Sequence, residues 1–169
     1  MKTELNLNSP YKVYIDDSDL VYSFTTVNNV FYQLAFSDSN HLFTGISGEA
    51  KINNIYSLSI ENIGDSFTPL DIKVKETVQE ILKEFFKNKE NCITYVCDNS
   101  DSQELARYRK FNFWFEDSDF SSNLIKLKNE LKVDDETTYY TSLIYHKNNS
   151  TYDILKLSYM ELIENLKDK

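Results

Sequence analysis

Residues 92–116 hold the densest group of side chains able to do chemistry: Cys97, Asp98, Asp101, Arg107, Tyr108, Arg109 and Trp114. Cys97 closes a short apolar run just before the turn residues 98–101, a position where a helix N-terminus can stabilise a thiolate. Asp98 and Asp101 oppose that by like charge, and neither His41 nor His146 is near in sequence to act as its base. A small buried thiol is therefore the simpler reading of Cys97. Asp101 with Glu104 three residues later forms a capping box that opens a helix. On that helix Arg107, Phe111 and Trp114 recur at i, i+4 and i+7, so that a guanidinium can lie over an aromatic face or simply cover apolar surface. Asp98, Asp101, Arg107, Arg109 and Trp114 are the candidate ligand- or partner-binding residues.

Other clusters offer less. Carboxylates gather at Asp16, Asp17 and Asp19, at Glu116, Asp117 and Asp119, and at Asp134, Asp135 and Glu136. None has the glycine and spaced oxygens of a calcium loop, and two unpaired histidines do not suggest zinc, so solvated turns and caps account for them. No phosphate loop, dinucleotide fingerprint or Gly-x-Ser-x-Gly elbow is present.

The chain has 169 residues and a net charge of −9, which disfavours nucleic-acid backbone and anionic lipid and favours a basic protein partner. Aromatic residues make up 14% while glycine and proline number 3 and 2, so burial is plentiful and turns must lean on Asn, Asp and Ser. No apolar run is long enough to span a membrane and no signal-peptide region opens the chain, which predicts cytoplasmic residence with both cysteines reduced. No cofactor is implied by these residues.

The elements that must position the site follow from local patterning. Residues 1–10 read as a polar tail, and 11–169 as a single domain. Strands are predicted at 11–15, 20–26 and 30–36, the last two joined by a tight turn at Asn28-Asn29. Residues 37–54 read as a long loop with a short strand near Leu42-Phe43, and 55–60 as the next strand. Thr68-Pro69-Leu70-Asp71 predicts a helix start with Thr68 as cap, and apolar spacing carries that helix to about Lys87. A strand at 93–96 and the helix from Asp101 follow. Leu105, Tyr108, Phe111 and Phe115 line one side of that helix, while 113–115 could either continue it or begin a strand. Leu124, Leu127 and Leu131 predict a short helix near 122–132. Residues 139–145 and 152–157 predict a closing hairpin across 147–150, and Ser158 with Glu161 a final helix of about ten residues. The sum is an α/β domain with a mixed, mostly antiparallel sheet flanked by helices.

Two resemblances attach to these residues. Cys97-Asp98-x-x-Asp101, Arg107-x-Arg109-x-Phe111 and Trp114-Phe115 resemble a family of uncharacterised proteins from Bacteroidetes, a likeness covering residue 11 to the last helix that implies no established activity. The order of elements is similar to the GNAT acyltransferase core without its first two helices. Tyr108-Arg109-Lys110-Phe111-Asn112-Phe113 resembles the Tyr-x-x-x-Gly-Phe run of that superfamily, with Asn112 where Gly is usual. That likeness implies acetyl-coenzyme A as cofactor and Tyr108 as general acid toward the thiolate. The superfamily's glycine-rich pyrophosphate loop is replaced here by Glu61-Asn-Ile-Gly64-Asp65-Ser-Phe-Thr68-Pro69, with one glycine and added carboxylate. The sequence therefore predicts a non-catalytic binding or accessory domain, with a GNAT-like N-acyltransferase as the alternative.

Overall fold

The computed structural model describes residues 1–63, 71–98 and 102–168, with side chains excepted at 96–98, 102–104 and 107. Among these residues the strands are β1 (Lys2–Leu5), β2 (Val13–Asp16), β3 (Val21–Thr25), β4 (Phe31–Asp38), β5 (Ile55–Ile63), β6 (Cys92–Asp98), β7 (Leu124–Lys132) and β8 (Thr138–His146), with the pairing orders β1-β2-β3-β4 and β6-β8-β7. The helices are α1 (Ile72–Phe85), α2 (Ser102–Glu116) and α3 (Tyr152–Lys167). The fold is α/β, and its sheet is mostly antiparallel. Two compact units divide the chain: Met1–Ser37 with Ser57–Lys87, and Asp38–Tyr56 with Asn88–Lys169.

In the first unit an antiparallel meander alternates buried and exposed residues, as a strand with one covered face must. Its inward side carries a ladder of stacked rings, Tyr11 on Phe24 at 5.9 Å and Phe24 on Tyr32 at 5.2 Å. Asn29 takes a positive φ of 58° at the β3–β4 turn, as predicted for that tight connection. Helix α1 buries Val74, Val78, Ile81, Leu82 and Phe85, the apolar stripe legible in the sequence, and Phe85 stacks on Phe36 at 3.9 Å. Asp71 caps α1: its Oδ1 accepts from Lys73 N at 2.9 Å. Its Oδ2 accepts the Tyr11 hydroxyl at 2.5 Å, so one carboxylate ties β2's approach to the helix start. Thr68 and Pro69 lie outside the described residues. The stretch read as a polar tail is polar as expected, but Lys2–Leu5 pairs with β2.

In the second unit β8 lies between β6 and β7 and is buried from Thr141 to Tyr145. One face of it, with Leu143 and Tyr145, packs with Leu131, Leu155, Tyr159 and Ile163 into a core that also takes Phe43, Ile46, Ile52 and Cys92. The Thr141 Oγ1 and Tyr159 hydroxyl are 2.7 Å apart, which satisfies two buried polar groups across that core. The loop expected at 37–54 holds no strand near Leu42-Phe43. It forms 3-10 turns at Asn40–Phe43 and Glu49–Lys51, pinned by Ser47 to Glu161 and by Asn40 Oδ1 to the Ile55 amide.

Two predicted elements are corrected here. Residues 124–132 are a strand and not a helix. Although Leu124, Leu127 and Leu131 fit a helical period, Ile125, Leu127 and Leu131 also alternate with Lys126, Lys128, Glu130 and Lys132, and pairing along all of β8 selects the period of two. Residues 152–157 are not the return strand of a hairpin; they open α3. Asn149 Oδ1 accepts both the Thr151 amide and the Thr151 hydroxyl at 2.8 Å, and Leu155, Tyr159 and Ile163 then fall on one buried helical face. The final helix accordingly begins six residues before Ser158. The ambiguity at 113–115 resolves as helix.

Burial pushes the Tyr22 and Tyr145 hydroxyls and the Cys92 thiol up to about 12, from 10.0, 10.0 and 9.0. In the unfolded chain these groups release their protons first, so the unfolded state binds fewer protons and stability falls as pH rises. Lys126, whose ammonium is pushed down from 10.5 to about 8, adds the opposite slope between those values, so urea midpoints should fall steeply only above about pH 10.5 and on to about pH 12. A second expectation concerns Gly48, where an added Cβ would overlap Ser158 Oγ and sit 2.8 Å from Ile154 Cγ2. Ile154 is β-branched and on a helix, so it yields little, and Gly48→Ala should lower unfolding free energy by about 1–3 kcal/mol in urea titration.

Candidate functional site

Helix α2 lies against the second face of the β6–β8–β7 ladder, and the register names the residues under it. Tyr95 is opposite Ser142, which is opposite Lys128; Ile93 is opposite Ile144, which is opposite Lys126. Over these the helix sets Tyr108, Phe111 and Phe115. Tyr95 meets Phe111 at 4.7 Å and Tyr108 at 6.1 Å, and Tyr108 meets Tyr140 at 5.9 Å. Phe111 and Phe115 are buried, as the sequence predicts for this side of the helix. Tyr108 is half-buried within that cluster of rings. Ser142 Oγ, in the floor of the cluster, has no hydrogen-bond partner among the described residues.

At the C-terminal end of α2 the site becomes polar. Lys126, half-buried on β7, donates to Asn112 Oδ1 and holds its Nζ 5.0 Å from the centre of the Phe115 ring. Burial, and then the neighbouring Lys128, push its ammonium down to about 8, with Glu116 acting the other way. Glu116 itself accepts from Lys128 at 2.5 Å, and that bond holds its carboxyl below the usual range. The pair is exposed on both sides and contributes little to stability.

The outward side of α2 carries Arg109, Lys110 and Phe113, all exposed, with Phe113 at 62%. Trp114 is not a surface residue: it is 9% exposed, and Lys110 Nζ stands 4.8 Å from its ring. The aromatic that does face solvent is Phe113, which sequence reasoning did not select.

The predicted site residues are thus distributed as follows. Arg109 is on the outer face of α2, Trp114 is packed beneath Lys110, and Tyr108 is on the inner face. Asp98 closes β6 opposite Tyr139 along the backbone, and its side chain, like that of Arg107, is outside the description. Asp101 lies outside the described residues, as does the stretch 64–70 that the acyltransferase likeness would use for its cofactor. Lys126, Asn112 and Glu116 were missed. The alternation of lysines with apolar residues along 124–132 was the signal that would have placed Lys126 under α2. Cys92 is a buried free thiol, and among the described residues no three His, Cys, Asp or Glu side chains converge to hold a metal. No described helix is long and apolar enough to cross a membrane.

Burial of Trp114 sets an expectation opposite to that for a surface contact. Trp114→Ala should destabilise the fold by about 3 kcal/mol or more in urea titration, whereas Lys110→Gln should cost about 0.5–1 kcal/mol through loss of the cation over the ring. A neutral Trp114→Ala would mean the indole contributes nothing to packing.

The fold is similar to a crystal structure that carries a provisional assignment as a phosphinothricin N-acetyltransferase, at 12% identity and a TM-score of 0.39, over 78% of this chain and 73% of that one. No curated protein matches the sequence. A family model covers residues 70–161, from just before α1 into α3, and by that match over more than half its length the chain belongs to a family of unknown function (DUF6169).

Proposed function

We propose that this chain is a non-catalytic binding domain whose working surface is the outer face of α2, and that it takes an anionic, apolar-bearing segment of a protein partner. The observation that carries the reading is Phe113, 62% exposed on the same helix face as the exposed Arg109 and Lys110. Arg109 stands one turn before Phe113, so a ring and a guanidinium are offered together. Covering the ring releases ordered water, and the two cations on its N-terminal side select the sign of what covers them, while the exposed Glu116 and Asp117 on its C-terminal side orient the segment the other way round. The net charge of −9 would draw a basic partner from a distance. At contact, charges farther than a screening length of about 8 Å matter little, and the local sign of this face decides.

The order of elements supports a second reading: five strands, α1, β6, α2 and a hairpin, here β7–β8 in place of the one expected at 139–157, resemble the order from which the acyltransferase alternative was drawn. In that reading Tyr108 is the acid, acetyl-coenzyme A is the cofactor, and the cofactor lies before α1. Tyr108 belongs to a packed cluster of rings, which suits an architectural role equally well.

Trp114 is the protein's one tryptophan and sits beneath Lys110, so its emission reports on α2. Titration with a short amphipathic Glu- and Leu-containing peptide should shift that emission saturably at about 0.1 M salt, where screening extends over about 10 Å, and less at higher salt. The shift should vanish in Arg109→Glu and shrink in Phe113→Ser, and a Lys-rich peptide should leave emission unchanged. A saturable response to acetyl-coenzyme A, with none to the Glu-rich peptide, would overturn the binding reading in favour of the enzyme.

A further inference from the structure

The C-terminal end of α2 and the edge strand β7 together hold an amine in an unusual setting. A lysine side chain on an edge strand ordinarily runs out to water, keeps its charge and reacts slowly. Lys126 does not run out to water, and its charge is held less firmly than usual. It is half-buried, its Nζ lies over the Phe115 ring, and its hydrogen bond goes to a neutral amide, Asn112 Oδ1. The nearest carboxylate, Glu116, is engaged by Lys128, whose own ammonium stands beside Lys126. Every other lysine on this strand, Lys128 and Lys132, is exposed and near a carboxylate.

We infer that Lys126 is a site of N-acylation by activated acyl donors, compounds whose carbonyl carbon bears a good leaving group such as a thiolate or a phosphate. The site is formed by Asn112, Phe115, Glu116 and Lys128 around its Nζ. Three features favour the chemistry. Removal from water and the adjacent Lys128 cation both disfavour the ammonium, so a larger share of Lys126 is free amine near neutral pH than of an ordinary lysine. Asn112 Oδ1 fixes the direction of the nitrogen in either protonation state, because an amine and an ammonium both donate. The amide product still has one N–H for Asn112, while the charge that had to be held beside Phe115 and Lys128 is gone.

The step balances without any further reagent. The ammonium first releases a proton to water, and the nitrogen lone pair attacks the carbonyl carbon. The N–C bond forms as the C–S or C–O bond breaks. The leaving group departs as thiolate or phosphate, and the second proton passes to solvent. The product has lost one positive charge at the end of α2.

The titratable and charged groups facing Lys126 are Lys128 on its own strand and Glu116 on α2, which makes the pH and variant behaviour specific. Incubation of the intact protein with acetyl phosphate, and separately with a small acetyl thioester, should label Lys126 at least tenfold faster than Lys128 or Lys132 near neutral pH, as read by peptide mass spectrometry, since each unit of depressed pKa raises the free-amine fraction tenfold while the weaker nucleophilicity of a less basic amine offsets only part of that gain. The rate should level off with a midpoint near pH 8. Asn112→Asp, which puts a carboxylate against Nζ in the same shape, should bring the rate down to that of the other two. Glu116→Gln should raise it. Whichever donor labels faster identifies the leaving group the site prefers. Equal labelling of the three lysines, a profile that does not level off near pH 8, or an unchanged rate in Asn112→Asp would each overturn the assignment.

Discussion

Burial of β8 on both faces is the constraint from which the second unit follows. From Thr141 to Tyr145 five successive residues are shielded from water, so the strand must have a neighbour on each edge and a layer on each side. β6 and β7 supply the edges through ladders that run nearly its whole length. α3 covers the face of Leu143 and Tyr145, and α2 covers that of Tyr140, Ser142 and Ile144 through its rings. The polar groups carried into this interior are matched where they can be: Thr141 to Tyr159, and Thr94 to the Ser142 carbonyl at 3.2 Å. A fully buried strand tolerates neither shift nor substitution easily, because a one-residue slip would exchange the two faces entirely.

What could be read from residue order alone follows the same logic. Where an element buries one face, its period was visible. The stripe Val74, Val78, Ile81, Leu82 and Phe85 gave α1, and the apolar run before the Asp98 turn gave β6. Where two periods coincided, local order could not choose between them. Residues 124–132 fit both a three-to-four spacing of leucines and an alternation of lysines, and only the existence of β8 as a pairing partner decides for the strand. Residues 152–157 failed for the converse reason: tyrosine, isoleucine and leucine favour strands in isolation, yet Asn149 organises the preceding turn and Leu155, Tyr159 and Ile163 need a helix to reach the core together. The cap that is described at α1 is Asp71, whose second carboxylate oxygen is held by Tyr11, sixty residues away. No local window contains such a partner.

The candidate site was legible at the level of the helix but not of its sides. That α2 carries chemistry-bearing residues followed from its composition, and Arg109 and Tyr108 are on it. Which side each faces depends on the sheet beneath, so the indole expected at the working surface is packed, and a phenyl ring with no assigned role is exposed. Trp114 has the larger apolar area and a cation at hand to cover its rim, which makes it the better residue to bury. The polar end of the helix could not be seen at all until β7 was a strand. Only then do Lys126 and Lys128 alternate onto the face that Asn112, Phe115 and Glu116 cover.

The position of β8 also bears on how the chain is made. Among the described strands it comes last in chain order, yet it separates β6 from β7, and α3, which closes the core over it, comes later still. β7 therefore has no ladder to join when it emerges, and the second unit cannot close until β8 and α3 have been synthesised. The first unit is in the opposite situation, because its residues end at Lys87 and its meander pairs each strand with the one before it. The first unit can therefore close while the second is still emerging, and the edges of β6 and β7 stay unpaired until β8 arrives.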